Sequence, residues 1–268
     1  MTRVASAAVL AALLLITIWW LPWWATVALA ALAAAMAGSE VAGLATSAGA
    51  PTSRVPVAVA AATLAVSFAC RDSQEFPGGD AFALVLLAVV VGSGLVALAS
   101  GPPSPPALTR AAAMMMGPLY TGVPLGALAG IAVAGGPQAL TWLIVVIASS
   151  DSAQYYTGRA FGRRKLAPAV SPAKTVEGAI GGMVGAAVVA VIAGHYWLPG
   201  ISKPALALLG LFLAMFGMTG DLFESLLKRS AGVKDSSNLI PGHGGVLDRL
   251  DAYLFAAPVF YVVMRSLT

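Results

Sequence analysis

Apolar stretches long enough to cross a bilayer recur along nearly the whole of this chain, and they constrain its fold more than any other feature. A spanning helix needs about 20 apolar residues. Reading between polar and Pro/Gly breaks predicts about nine helices: Val4–Leu21, Trp24–Leu44, Val55–Cys70, Ala81–Ala99, Ala111–Ala134, Gln138–Tyr156, Val176–Leu198, Pro204–Phe223 and Leu250–Leu267. Only 10% of the 268 residues are charged, and mean hydropathy is +0.88. A soluble domain carries roughly 25% charged residues. The expectation is an all-α, polytopic transmembrane bundle. It forms a single integral-membrane domain over 1–268, with N-terminal helices in 1–135 and a catalytic half in 136–268.

Smaller features fit that frame. Arg3 followed by Val4–Trp20 has the look of a secretory signal, but apolar segments continue to the far end, so a retained first helix is simpler. Only Pro22 and tryptophans separate the first two segments, which makes them the least distinct. Gly101-Pro-Pro-Ser-Pro-Pro106 is a stiff, non-helical loop. The lone Cys70 excludes an internal disulfide and reads as a small buried side chain. The net charge of +4 is modest and reflects loops facing the cytoplasm rather than nucleic-acid binding.

Lys/Arg placement predicts the orientation. With the N-terminus inside, the inner side receives Arg3, Arg54, Arg110, Arg159, Arg163, Arg164, Lys165, Lys174, Lys228, Arg229, Lys234 and Arg249. The outer side receives Arg71, Lys203 and Arg265. Twelve against three fits a cytoplasmic N-terminus and an outer C-terminus. Trp19, Trp20, Trp23 and Trp24 then read as an outer aromatic belt.

Against this background Ser225–Asp251 stands out. It holds Lys228, Arg229, Lys234, Arg249, three aspartates and His243. Polar groups are costly near lipid, so such a concentration reads as a functional site. Asp221, Ser225 and Lys228 fall at i, i+4 and i+7 on one helical face, with Glu224 beside them. Asp248 and Asp251 are at i, i+3 and open the last helix. Two helix ends could thus aim carboxylates into one site; a structural salt bridge from Asp221 or Glu224 to Lys228 is the plainer alternative. Asp151 sits at a similar depth and serves equally well as an interfacial helix-end residue or a metal ligand. Mg²⁺ takes a few carboxylates plus phosphates and water. Pro241-Gly-His-Gly-Gly245 is a compact turn whose N–H groups suit an anion. The basic run Arg159–Lys165 reads first as a topology signal and second as a nucleotide contact. Gly178, Gly181, Gly182 and Gly185 read as a helix-packing stripe.

The polar block resembles the signature of the CDP-diacylglycerol synthases (phosphatidate cytidylyltransferases). The residues carrying it are Ser225-x-x-Lys-Arg229, Lys234-Asp235, Pro241-Gly-His-Gly-Gly245 and Asp248-Arg-x-Asp251. Ser171-Pro-Ala-Lys-Thr-Val-Glu-Gly178, Asp151-Ser-Ala-Gln-Tyr155, Gly158-Arg and Phe161-Gly resemble further elements of that family. The likeness runs from about Ser149 to Ala252; Ala252 replaces a frequent Ser. The resemblance implies transfer of a cytidylyl group from CTP to phosphatidic acid, releasing pyrophosphate, at the cytoplasmic face of an inner (plasma) membrane. It implies Asp221, Asp248 and Asp251 as metal-site residues, with one or two Mg²⁺ ions and room for a monovalent cation. Ser225, Lys228 and His243 would join the catalytic set, His243 as a phosphate-positioning group. Arg229, Lys234, Asp235, Arg249, Lys174, Asp151 and Tyr155 would contact substrate. The partners are CTP, phosphatidic acid and membrane lipid, not nucleic acid; a homodimer is left open. A CTP-dependent lipid kinase and a transporter are the rival classes. The first would release CDP, and the second would place its charges at mid-membrane.

Overall fold

The computed structural model describes residues 2–71, 79–101, 103–239 and 244–267. These form eight helices: α1 (Thr2–Trp20), α2 (Trp23–Ser47), α3 (Arg54–Ala69), α4 (Gly79–Ala99), α5 (Ala107–Phe161), α6 (Val176–Trp197), α7 (Lys203–Ser230) and α8 (Leu247–Leu267). Two short strands, β1 (Lys165–Ala167) and β2 (Ser171–Thr175), pair antiparallel between α5 and α6. The fold is therefore helical, as expected, with one small hairpin that the apolar reading did not anticipate.

Two of the nine expected segments, Ala111–Ala134 and Gln138–Tyr156, both fall within the span of α5. A non-helical backbone at Gly136, with φ 72° and ψ 179°, divides that span into two helical stretches, and the break falls between the two expected segments. That backbone favours glycine, so the break costs little there. Among the described residues, five helices are long and apolar enough to span a bilayer: Trp23–Ser47, Ala81–Ala99, Ala107–Phe161, Val176–Trp197 and Lys203–Ser230. With 16 residues, α3 is about 24 Å long and falls short of a hydrocarbon core of about 30 Å. In α8 the charged first turns interrupt the apolar run.

The chain divides into two compact units. The first comprises Met1–Ala134 and Leu227–Leu250. Its helices approach through small residues. A Cβ added at Gly122 would lie 2.5 Å from the Ala61 carbonyl oxygen, and one at Gly126 2.7 Å from that of Ala65. Backbones this close trade side-chain bulk for van der Waals contact, the main attraction available where lipid surrounds the helices. Val27, Ala30, Ala69 and Ala129 form one buried cluster, and Ala42, Val57 and Met114 another.

The second unit comprises Gly135–Leu226 and Asp251–Thr268. Trp142 is fully buried, donates from Nε1 to the Ala190 carbonyl at 3.1 Å, and stacks on Phe260 at 5.0 Å. The glycine stripe of α6 packs on α5 as expected. Gly181 meets Thr157, Gly182 meets Gln154 and Ser150, and Gly185 meets Ala153. Ile180, Val184, Val188 and Ile192 recur every four residues on α6 and are exposed. An apolar row at helical spacing is suited to hydrocarbon. At the head of α6, the Thr175 side chain accepts from the Gly178 N–H at 3.1 Å, an N-cap that ends β2 and starts the helix.

Candidate active site

In the first unit the polar loop folds around Asp248, in the first turn of α8. The Asp248 carboxylate is 7% exposed and the Lys228 side chain 12%. Lys228 Nζ lies 2.6 Å from Asp248 Oδ1. Asp248 Oδ2 accepts from the Ser236 N–H at 2.9 Å, the Ser236 hydroxyl at 2.8 Å and the Gly245 N–H at 2.8 Å. Burial works against the charge, but the Lys228 ammonium, followed by the donors of Gly245 and Ser236, prevails. The Asp248 carboxyl is held at about 2, below the ordinary 3.8. An acid in the first turn is also favoured by the helix dipole.

Glu40 of α2 is the second anchor of this loop, and the sequence reading missed it. The residue is 6% exposed. Oε1 accepts from the Ser237 hydroxyl at 2.7 Å and the Val246 N–H at 3.0 Å. Oε2 accepts from the Ser236 hydroxyl at 2.9 Å and the Leu247 N–H at 2.8 Å. A signal was present: Glu40 is the only charged residue between Arg3 and Arg54. An ionisable group inside an apolar helix marks function by default. Gly245 makes the arrangement possible. A Cβ there would strike the Ser236 hydroxyl and lie 2.5 Å from Glu40 Oε2. Gly244 has φ of 80° and also faces Asp248.

In the second unit a separate charged group assembles. Lys174 of β2 pairs with Asp221 of α7 at 2.5 Å. Ser225 donates from Oγ to Asp221 Oδ1 at 3.4 Å. Asp151 of α5 lies near enough to interact electrostatically with both Asp221 and Lys174. The Asp251 charge and that of Asp151 both reach Tyr253, whose hydroxyl donates to the Ile144 carbonyl at 3.4 Å. Asp251 Oδ1 accepts from the Ala252 N–H at 2.7 Å. Gly220 lets α7 approach the Asp251 carbonyl directly. Two short ion pairs that helical spacing did not suggest are thus present: Lys228 with Asp248, and Asp221 with Lys174.

Other expected site residues sit more openly. Arg229 is exposed and donates to the Val233 carbonyl at 3.3 Å. Lys234, Asp235 and Arg249 are exposed. Tyr155 is exposed, and its hydroxyl accepts from Arg159 at 3.4 Å. Glu177 accepts from the N–H groups of Arg163 and Arg164 at 3.0 and 3.2 Å, which ties the basic run to the start of α6. His243 lies outside the described residues.

No group of three or more His, Cys, Asp or Glu suited to a metal ion is present among the described residues. A cage made by protein alone is thus not formed there. Asp151 and Asp221 are oxygen donors of the kind a hard cation takes with phosphate oxygens and water, but the Lys174 ammonium stands at Asp221. Asp248 likewise carries an ammonium, that of Lys228, and both of its oxygens are engaged.

Long apolar helices carrying such charged groups define the class: a helical membrane protein with clusters of paired charges. Residues 1–267 match the cytidylyltransferase family, and the chain belongs to it. It is 51% identical over 120 residues to a Bacillus subtilis phosphatidate cytidylyltransferase, covering 45% of each chain. The Haemophilus influenzae protein of that name is 47% identical over 125 residues, covering 45% of this chain and 43% of the relative. A Helicobacter pylori namesake is 44% identical over 149 residues, covering 56% and 55%. The matches thus span about half the length of these curated relatives.

Proposed function

We propose that this protein is a phosphatidate cytidylyltransferase acting at the cytoplasmic face of an inner membrane. The observation that carries the reading is the family match over nearly the whole chain, together with relatives that bear this name. The charged groups supply what the chemistry needs. A phosphate oxygen of phosphatidic acid attacks the α-phosphorus of CTP. The bond to the β-phosphate oxygen breaks, and pyrophosphate leaves. The product is CDP-diacylglycerol.

The attacking phosphate is already largely anionic near neutral pH, with a second pKa of about 6 for comparable phosphomonoesters. No strong general base is required. The difficulty is bringing two polyanions together, and cationic groups lower that barrier by neutralisation and alignment. Lys174 and Lys228 stand ready in ion pairs that phosphate can exchange. Arg229, Lys234 and Arg249 are exposed cations on or beside the loop. His243 would position phosphate. Asp221, with Asp151 beside it, would hold Mg²⁺, and Asp248 and Asp251 would take part once Asp248 yields Lys228. The ion would neutralise phosphate charge when bound.

The Lys/Arg bias supports a cytoplasmic N-terminus and a cytoplasmic polar loop. Lipid tails would remain in the bilayer while the head group meets the loop. The deciding experiment gives purified protein phosphatidic acid, CTP labelled in its cytidine, and Mg²⁺. Label entering lipid with equimolar pyrophosphate supports the reading. Release of labelled CDP with an unlabelled lipid product would instead assign a kinase.

A further inference from the structure

We infer that Glu40 is a positioning residue, which latches the polar loop to the start of α8 and thereby orients Asp248. The inference rests on the proposed reading of Asp248 as part of the active site. Glu40 belongs to the N-terminal part of the chain, outside the stretch whose motifs point to chemistry.

Its carboxylate is fully used. Each oxygen faces one serine hydroxyl and accepts one backbone N–H, from Val246 just before α8 or from Leu247, its first residue. The first N–H groups of a helix have no partner within it. Glu40 supplies partners from another helix for that of Leu247 and for the Val246 N–H before it. The same carboxylate grips Ser236 and Ser237, so loop and helix start are held by one side chain.

The link to Asp248 runs through Ser236. Its hydroxyl oxygen lies 2.9 Å from Glu40 Oε2 and 2.8 Å from Asp248 Oδ2. A hydroxyl carries one proton, so it donates to one carboxylate at a time. The Ser236 N–H holds Asp248 whichever way that proton points. Glu40 therefore sets the position of Ser236, and Ser236 sets that of Asp248. Glutamine cannot substitute. Its NH₂ would have to face either the Val246 or the Leu247 N–H, leaving a buried donor unpaired.

The test compares Glu40→Gln, Glu40→Asp, Ser236→Ala and the Glu40→Gln/Ser236→Ala double variant in detergent. Turnover is measured per folded molecule, after isolation of the monodisperse fraction. Tryptic cleavage at the exposed Lys234 is followed in the same samples. The expected results are a kcat at least tenfold lower in Glu40→Gln, with KM for CTP changed less than threefold. Glu40→Asp should recover at least threefold over Gln. The double variant should lose much less than the product of the two single losses, because the residues act in series. Cleavage at Lys234 should be at least tenfold faster in Glu40→Gln.

A purely structural role would reduce the yield of folded protein and leave turnover per folded molecule unchanged; that result overturns the inference. Multiplicative single effects also overturn it. Should Glu40→Gln fail to fold, Ser236→Ala/Ser237→Ala replaces it, and wild-type turnover with wild-type cleavage in that variant is equally fatal. Trypsin needs no substrate. If the wild-type protein transfers no cytidylyl group, the proposed function fails, while the latch still stands or falls on the cleavage rate.

Discussion

Lys228 Nζ lies 2.6 Å from Asp248 Oδ1, and both side chains are mostly withdrawn from solvent. Removing one member of such a pair takes away part of the other's charge compensation, at a cost below the roughly 3–5 kcal/mol of a fully stranded buried charge, since Asp248 keeps its Ser236 and Gly245 donors. Lys228→Met and Asp248→Asn should each lower stability in detergent. The double variant should lose less than the sum of the two. Thermal unfolding of all four proteins measures the coupling. Additive losses would mean that the pair contributes nothing as a pair.

The same geometry predicts a pH response. Asp248 titrates at about 2 in the folded protein against an ordinary 3.8. Its folded pKa is depressed, so its stabilisation is complete above about pH 4. That contribution fades as pH falls toward 2. Between pH 5 and 9 Asp248 should add no slope to stability. Unfolding midpoints of wild type and Asp248→Asn, taken from pH 3 to 8, check this: their difference should be flat above pH 5 and shrink at the acid end.

Asp221 and Lys174 form the corresponding pair in the second unit. Asp221→Asn and Asp248→Asn should each reduce cytidylyl transfer at least a hundredfold, while both proteins stay folded in the membrane. Lys174→Met should raise KM for CTP or phosphatidic acid more than it lowers kcat, if its ammonium serves phosphate binding. Steady-state kinetics on purified variants separate these effects. Near-normal turnover of both Asn variants at saturating Mg²⁺ would remove the carboxylates from the mechanism.

Gly245 leaves no room for a side chain, since a Cβ would collide with Ser236 and lie 2.5 Å from Glu40 Oε2. Gly200 has nothing within 4 Å of the same position. Gly245→Ala should destabilise by about 1–3 kcal/mol through overpacking and cost activity. Gly200→Ala should leave both nearly unchanged. Melting temperature and turnover of the two variants form a matched comparison.

Topology is accessible to labelling. In a Cys70→Ser background, Arg163→Cys and Lys234→Cys should resist impermeant thiol reagents added outside intact cells and react once the cells are opened. Labelling of both from outside would reverse the proposed orientation.

The helical, membrane-embedded character was legible in the sequence because hydrophobicity acts locally. An apolar run of bilayer length carries its own instruction. The glycine stripe of α6 was legible for the same reason, since spacing on one helix sets which residues share a face. The residues Asp221, Asp248 and Lys228 could be singled out because charge is conspicuous in an apolar chain. Which partner each would take was not legible. Helical spacing offers Lys228 only partners on its own helix, and the pair with Asp248, twenty residues on and in another helix, could not be read from it. The break between the fifth and sixth expected segments was legible too, because glycine there admits the positive φ of Gly136 that interrupts the helix. Glu40 shows the limit most plainly. Its isolation in an apolar helix could be read from the chain, but its four donors come from about 200 residues away. Sequence determines which groups need partners; only the tertiary structure decides which partners come within hydrogen-bonding distance.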